Sequence, residues 1–567
     1  MSRLTLLAAA GLALLAPWEA TAASQDSAPL DYLVQPVLEG GVVKAISIEL
    51  HFKGGATGET TLELPNEWGG KDKLYGALTD LSVRGKRAAL GQGPKPELRV
   101  IRHAPNASLE VRYRVNHADE GPARNGNPYR PIVLPQRVLL LGEAVFVAPA
   151  DTPDEHPVEV RFRNFPKSWA FASDLEHGKL KFRDLLASVT AAGDFRVLTR
   201  QVHGAPLRVA INGKWSFDDE SFAATIAAIS AAQHDFWKDP GQPYLVTLLQ
   251  FEGGTSSGGT ELADSFAMFA TPDADTKNLL HGLSHERSHS WIPRRLGELP
   301  EAERDQRLEY WLSEGFTDYY TYRTLVRAGA WSPGKFAEGL NQAMQRYASS
   351  PVRTAPNARI AEDFWKDSDV TQLPYDRGML FATLMDWKLR NASGGARSLD
   401  DVMLAMRRRF DRAPQPIRTA FVEVMAEQGV DVRRDIAEFI DQGAVILLDS
   451  ETFTPCGPIV GENRPNFHRG FDIDATMKNK MEITGVDPTL PAYQAGLRDG
   501  MTLLGRDAGT IGDSATELAY RVEDKGIQRV VRYLPQGHGT TLTQSLVLRP
   551  DPAEAAPACA RRLGAVN

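Results

Sequence analysis

Long apolar runs are scarce in this 567-residue chain. The longest, residues 4–16, falls short of the roughly 20 residues that cross a bilayer, and no later stretch approaches that length, so no membrane span is expected. Excess positive charge is also missing. Against 72 Asp+Glu stand 64 Lys+Arg, a formal net charge of −8, which argues against a nucleic-acid partner. The one tight basic cluster, Arg407-Arg408-Arg409, reads as the solvated face of a helix. Thiols are few: only Cys456 and Cys559 occur, as in an exported protein that has shed stray thiols. Pairing them would close a loop of 103 residues, worth up to about 4.7 kcal/mol in the chain-entropy model; the alternative is two unpaired thiols. With 42% hydrophobic and 24% charged residues, and apolar positions along nearly the whole length, the composition excludes disorder.

What is present begins with an export signal. Arg3 supplies the positive start, residues 4–16 the apolar run, and Ala20-Thr21-Ala22 the small residues of a cleavage site. Residues 1–22 are therefore expected to be a signal peptide and the mature chain periplasmic or secreted. No Cys follows the apolar run, so nothing points to lipid anchoring.

At about 150 residues per domain, three or four folded units are expected. Strand-like alternation, as at 42–50 and 108–115, predicts an all-β, sandwich-like N-terminal domain over 24–200. It holds no cluster of chemically useful residues, so its role is to wall or support a neighbour. From 201 to 450 the pattern is that of an α+β domain, a sheet leading into a helical half. Alternation returns over 455–550, and 551–567 reads as an Ala- and Pro-rich tail, mobile apart from Cys559.

The informative residues lie in Leu280-His281-Gly282-Leu283-Ser284-His285-Glu286-Arg287-Ser288-His289. On a helix, residues four apart are offset by about 40°, so His285 and His289 share a face and can both reach one zinc ion at about 2.0–2.1 Å. Glu286 stands beside the first ligand, placed to take a proton from an activated water. With 12 His in the chain, chance alone yields about 0.015 such patterns. A catalytic zinc needs a third protein ligand and an open position. Pro293 stops the first helix, the charged loop 294–305 gives room to turn back, and Trp311-Leu312-Ser313-Glu314-Gly315-Phe316-Thr317-Asp318-Tyr319-Tyr320 then offers Glu314. One turn on, Asp318 falls on the same face and could hold the free ring nitrogen of a ligating His. A buried acid pair with no metal would be costly. His281 extends the row of imidazoles, but a fourth ligand would close the open position, so it is expected behind the ligands or at the surface.

These residues resemble a gluzincin metallopeptidase, specifically the M61 (glycyl aminopeptidase-like) family. The zinc helix His285-Glu286-Arg287-Ser288-His289-Ser290-Trp291, with Arg294 and Arg295 beyond, and the third-ligand segment Trp311-Leu312-Ser313-Glu314-Gly315 carry the resemblance. So do Gly258-Gly259-Thr260-Glu261, followed by Ser265, and Tyr375-Asp376-Arg377-Gly378. The departures are Ile292 for the family's Asn, Leu262 for its His and Arg377 for its Lys; none removes a ligand or the base. The resemblance implies a thermolysin-like (gluzincin) catalytic domain, one Zn2+ per chain and peptide substrates. It also implies Tyr375 as donor to the oxyanion, with the competitors Tyr319 and Tyr320 assigned to the core. Glu261, on a strand with Gly258 and Gly259 edging the cleft, is implied as acceptor of a peptide's amino group. The Gly-rich run 253–259 lacks a Gly-Lys-Ser/Thr ending, which excludes a phosphate cradle and leaves a mobile cleft-lining loop.

Pro491-Ala492-Tyr493-Gln494-Ala495-Gly496-Leu497-Arg498-Asp499-Gly500-Met501 resembles the helix-and-turn segment of PDZ domains. Arg469-Gly470-Phe471 would then be a carboxylate-receiving loop, followed by a strand open to β-addition of a peptide ligand, unless the catalytic domain fills that groove. The expected whole is a multidomain, zinc-dependent peptidase using metal-activated water, of aminopeptidase type. The alternative from a different class is a peptide-binding or scaffolding protein with a structural or silent metal site.

Overall fold

The computed structural model describes residues 28–69, 71–118, 129–176, 179–251, 257–549 and 556–564. The expected signal peptide, residues 253–256 of the Gly-rich run, and residues 551–555 and 565–567 of the expected tail lie outside the described residues.

The N-terminal region is built from sheets. Leu30–Glu39 and Val42–Lys53 form a hairpin whose two-residue turn, Gly40-Gly41, has both φ angles positive, the geometry that matches the twist of paired strands. They belong to a six-stranded sheet that packs with two four-stranded sheets. Alternate residues Leu30, Tyr32 and Val34 enter the core, as the sequence period predicts. The buried phenols of Tyr32 and Tyr113 donate to the carbonyls of Val147 and Val145 at 2.9 and 3.0 Å, so neither polar group is left unpaired.

A five-stranded mixed sheet follows, beginning at Phe195. Its order is Phe195–Val202, Ala205–Asn212, Tyr244–Gln250, Ser265–Ala270, Ser257–Glu261. The three inner strands are parallel, and the helix Asp219–Trp237 supplies the first crossover, capped by the Asp218 carboxylate on the Ser221 N–H. Ser257–Glu261 is the outermost strand, antiparallel to Ser265–Ala270. Helices from Thr276 onward then pack on the sheet around one continuous apolar cluster.

Two helices in this half cross at glycines. A Cβ added to Gly378 would lie 2.0 Å from the Trp311 carbonyl oxygen, and one added to Gly315 would lie 2.3 Å from the Gly378 Cα. Only glycine at both positions lets Gly315–Arg327 touch Ser368–Ala392 backbone to backbone. Trp311, Phe316, Phe381 and Phe421 pack edge to face around that crossing.

The C-terminal module pairs Ile459–Phe467 with Gln536–Leu546 and carries a separate three-stranded sheet with its own core around Phe471, Leu497 and Tyr520. Two expectations are corrected here. Arg469-Gly470-Phe471 is followed by a helix, Ile473–Lys478, because the Asp472 carboxylate caps it on the Ala475 N–H at 2.9 Å; no strand open to β-addition follows the loop. The tail contains a docked helix, Ala556–Leu563. Cys559 is bonded to Cys456, with Cα atoms 4.7 Å apart, and the Arg562 guanidinium reaches the fully buried Asp386 at 2.5 Å and the Thr452 carbonyl at 2.6 Å. In return Arg323 and Arg327 donate to the carbonyls of Arg562 and Gly564. The basic cluster is a third correction: Arg408 is exposed, but Arg407 turns inward to Asp239 and the Trp237 carbonyl. Among the described residues no helix is long and apolar enough to cross a membrane.

Arg562→Met is expected to lower stability by about 3 kcal/mol, because Asp386 stays buried with one partner fewer; a urea titration reads it as a lower midpoint. Gly378→Ala is expected to cost about 1–3 kcal/mol by overpacking and to shift the melting temperature down.

Candidate active site

The helix Thr276–Ser288 starts at Asp275, whose carboxylate accepts the Lys277 N–H, and buries Leu279, Leu280 and Leu283. That choice of buried face sets the direction of His285. His289 falls at the helix C-cap rather than inside the helix. Glu314 stands at the junction between Tyr310–Ser313 and Gly315–Arg327, the latter beginning at the glycine crossing.

The three side chains converge. His285 Nε2 lies 3.3 Å and His289 Nε2 3.5 Å from the same Glu314 oxygen, Oε2, and one ligand atom from each residue falls within 4.8 Å of the others. Tetrahedral bonds of about 2.1 Å put neighbouring ligand atoms about 3.4 Å apart, so the donor set fits a zinc ion. Each imidazole's other nitrogen is taken: His285 Nδ1 meets Asp318 Oδ1 at 2.8 Å, and His289 Nδ1 meets the Ile292 carbonyl at 2.8 Å. With Nδ1 donating in both rings, the Nε2 lone pairs are left for a metal. The Ser313 hydroxyl donates to Glu314 Oε1 at 3.0 Å, leaving Oε2 for the shared point.

Charge supports this grouping. Burial alone would push both imidazoles down, yet the Asp318 and Glu314 carboxylates hold His285, and Glu314 with Glu286 holds His289, above the ordinary value. Burial likewise works to raise Glu314 and Asp318, and the imidazoles overcome it and hold both carboxyls low. His281 differs: burial drops it to about 4, its ring lies along Trp331, and its Nε2 is 3.7 Å from Asp318. It stands behind the ligands as a neutral ring.

Tyr375 lies inside the helix Ser368–Ala392, its ring centroid 5.8 Å from that of His285. Burial, then the carboxylates of Glu314, Asp318 and Glu286, raise its phenol far above the usual range, so it stays protonated. Tyr319 and Tyr320 are buried, as expected of core residues. Glu286 is partly exposed beside His285, and its charge is felt at His289, Glu261, Tyr129 and Tyr375.

Glu261 ends the outermost strand. Its Oε2 accepts the Tyr244 phenol at 2.7 Å and its Oε1 the Ser290 hydroxyl at 3.3 Å. Burial pushes its carboxyl up to about 8, against the lowering effect of Tyr244, Arg287 and Arg294. Gly258 is exposed on this strand, and the Gly259 carbonyl accepts the Tyr129 phenol at 3.3 Å.

Sequence reasoning missed the supports of this edge. Arg287, 1% exposed, lies with its guanidinium carbon 3.7 Å from the centre of the Tyr244 ring and meets His234 at 2.9 Å. It occupies a variable position of the His-Glu-x-x-His pattern, and no spacing rule marks it. Tyr129 comes from the N-terminal region, which no local pattern connects to the site. Asp239 gathers Trp291, Arg295 and Arg407 behind the metal helix, three residues far apart in the chain.

A His-Glu-x-x-His helix facing a carboxylate from a second helix, beside an edge strand, defines this chain as a metallopeptidase. Residues 278–371 match the family model for M61 glycyl aminopeptidase. No curated protein matches the sequence. Among solved structures, the chain resembles an aminopeptidase N family protein from Idiomarina loihiensis at 15% identity and a TM-score of 0.69, covering 94% of this chain and 100% of that one. The two share a fold. An M1 zinc metallopeptidase from Deinococcus radiodurans overlaps at 17% identity and a TM-score of 0.43, covering 74% of this chain and 94% of that one.

Because both imidazoles are held above their ordinary pKa, metal uptake near neutral pH is expected to release protons and to strengthen as pH rises. Calorimetry in buffers of different ionisation enthalpy measures this. In the metal-free chain the same shifts stabilise the fold fully below the unfolded value of about 6.5, and that contribution fades as pH rises through the folded values. Asp318→Ala is expected to weaken zinc binding about 10–100-fold, measured by competition with a chromophoric chelator.

Proposed function

We propose that the protein is an exported, zinc-dependent aminopeptidase that removes residues from peptide N-termini. The observation that carries this reading is the convergence of His285 Nε2, His289 Nε2 and Glu314 Oε2, with both remaining ring nitrogens already engaged. In this reading those three residues hold one zinc ion, Asp318 orients His285, and the ion supplies Lewis acidity to the scissile carbonyl and to water.

The chain's own residues do the rest. Glu286 takes the proton of the attacking water and passes it to the leaving amine. The protonated phenol of Tyr375 donates to the oxygen that gains charge at the carbonyl carbon. The outer edge of Ser257–Glu261, where Gly258 leaves open space, receives the peptide backbone, and Glu261 receives its ammonium group. A carboxyl held near 8 by burial ionises readily once that ammonium arrives.

Within the same reading the chain divides into a signal peptide at 1–22, an N-terminal β domain at 24–200, a catalytic domain at 201–450, a PDZ-like module at 455–550 and a tail at 551–567. The Cys456–Cys559 disulfide supports export. The helix-and-turn at Pro491–Gln494 supports the PDZ-like reading, and a peptide ligand of that module is part of the proposal.

Glu286→Gln is expected to keep its zinc and to lose about 10²–10⁴-fold in turnover. Hydrolysis of paired free and N-blocked peptides, with and without chelator, tests the class. The reading requires cleavage of the free set alone, abolished by chelation. Cleavage of blocked peptides would make the enzyme an endopeptidase, and no metal-dependent cleavage would leave a binding or scaffolding protein.

A further inference from the structure

Away from the metal centre, a cavity of about 540 Å³ lies at the seam between the helices Pro333–Ser349 and Ser368–Ala392 and the loop that opens the C-terminal module. Its size is that of a small-molecule site, for which about 300–1,000 Å³ is usual. Besides the Arg346–Asp376 pair, three half-buried charges line it, Asp369 and Asp474 on one side of the balance and Arg469 on the other, none with an ion-pair partner among the described residues, and Asp472 lines it while capping its helix. Burial raises the Asp369 carboxyl, and Arg469 is near enough to oppose that rise without meeting it in an ion pair. The Arg469 guanidinium carbon lies 5.8 Å from the centre of the Phe467 ring, and Phe467 and Ile511 give the cavity an apolar wall. Its floor carries Arg346 and Asp376, already joined by two hydrogen bonds of 2.7 and 3.3 Å and so mutually compensated.

Half-buried charges of opposite sign that do not meet are satisfied together by a ligand bearing both signs. We propose that this cavity binds a zwitterionic small molecule, a free α-amino acid or short peptide with an apolar side chain. Its ammonium group pairs with Asp369, its carboxylate with Arg469, and its side chain lies on Phe467 and Ile511. The bound molecule then rests against Asp376, the residue after Tyr375, and against Arg346, whose charge also reaches Asp318. The site is separate from the metal centre, goes beyond the peptidase reading and does not depend on it.

Calorimetric titration of the zinc-loaded, full-length protein with L-phenylalanine tests this. The wild type is expected to bind, and Asp369→Asn and Arg469→Gln are each expected to bind at least about tenfold more weakly with unchanged zinc content and melting temperature. Phenethylamine, which lacks the carboxylate, and 3-phenylpropionate, which lacks the ammonium, test the same point on the unaltered protein and are each expected to bind about tenfold more weakly. Absence of binding by the wild type, unchanged affinity in both variants, or equal affinity for either half-ligand would overturn the proposal.

Discussion

Two imidazoles and two carboxylates share one buried corner of this protein, and the architecture around them exists to keep them together. Uncompensated, such a group would be expensive to bury. Here each member answers another: Asp318 fixes the His285 ring, a backbone carbonyl fixes the His289 ring, and Glu314 faces both free nitrogens. The three inward-facing atoms lie at a spacing that fits a divalent cation, so the contacts that compensate burial also leave a donor set that could hold an ion.

The approach of the second helix depends on backbone rather than side chains. Gly315, next to Glu314, and Gly378, three residues beyond Tyr375, leave no room for a Cβ where their helices cross. One crossing therefore sets the depth of the carboxylate and of the phenol against the imidazole pair. The C-terminal helix secures the far side. Its Arg562 compensates Asp386 on the tyrosine helix, while its carbonyls accept from Arg323 and Arg327 on the helix that carries Asp318. Arg407, Arg295 and Trp291 gather on Asp239 behind the metal helix in the same way. Stability and site geometry are thus held by the same buried ionic contacts.

Much of the centre was legible in the sequence because helical periodicity is local. His285 and His289 share a face by the 3.6-residue repeat, and Asp318 follows Glu314 by one turn, so spacing alone carried their grouping. The β texture of the N-terminal region was legible for the same reason, with a two-residue period. What spacing does not carry is contact between distant segments. Tyr129 reaching Gly259, Arg287 lying over Tyr244, and Arg407 turning to Asp239 are tertiary events at residues whose neighbours in sequence look ordinary. The expected strand after Phe471 failed because a local capping interaction at Asp472 favours a helix, and the expected loose tail failed because one disulfide and one buried arginine dock it.

The account turns on whether the converging nitrogens and oxygen hold a metal ion. X-ray absorption spectroscopy on natively purified, full-length protein examines that most directly. The account predicts one zinc ion per chain, with a low-coordinate shell of two imidazole nitrogens, carboxylate oxygen and one further light atom at about 2.0–2.1 Å. A protein free of bound metal, or an ion whose shell lacks imidazole, would contradict it.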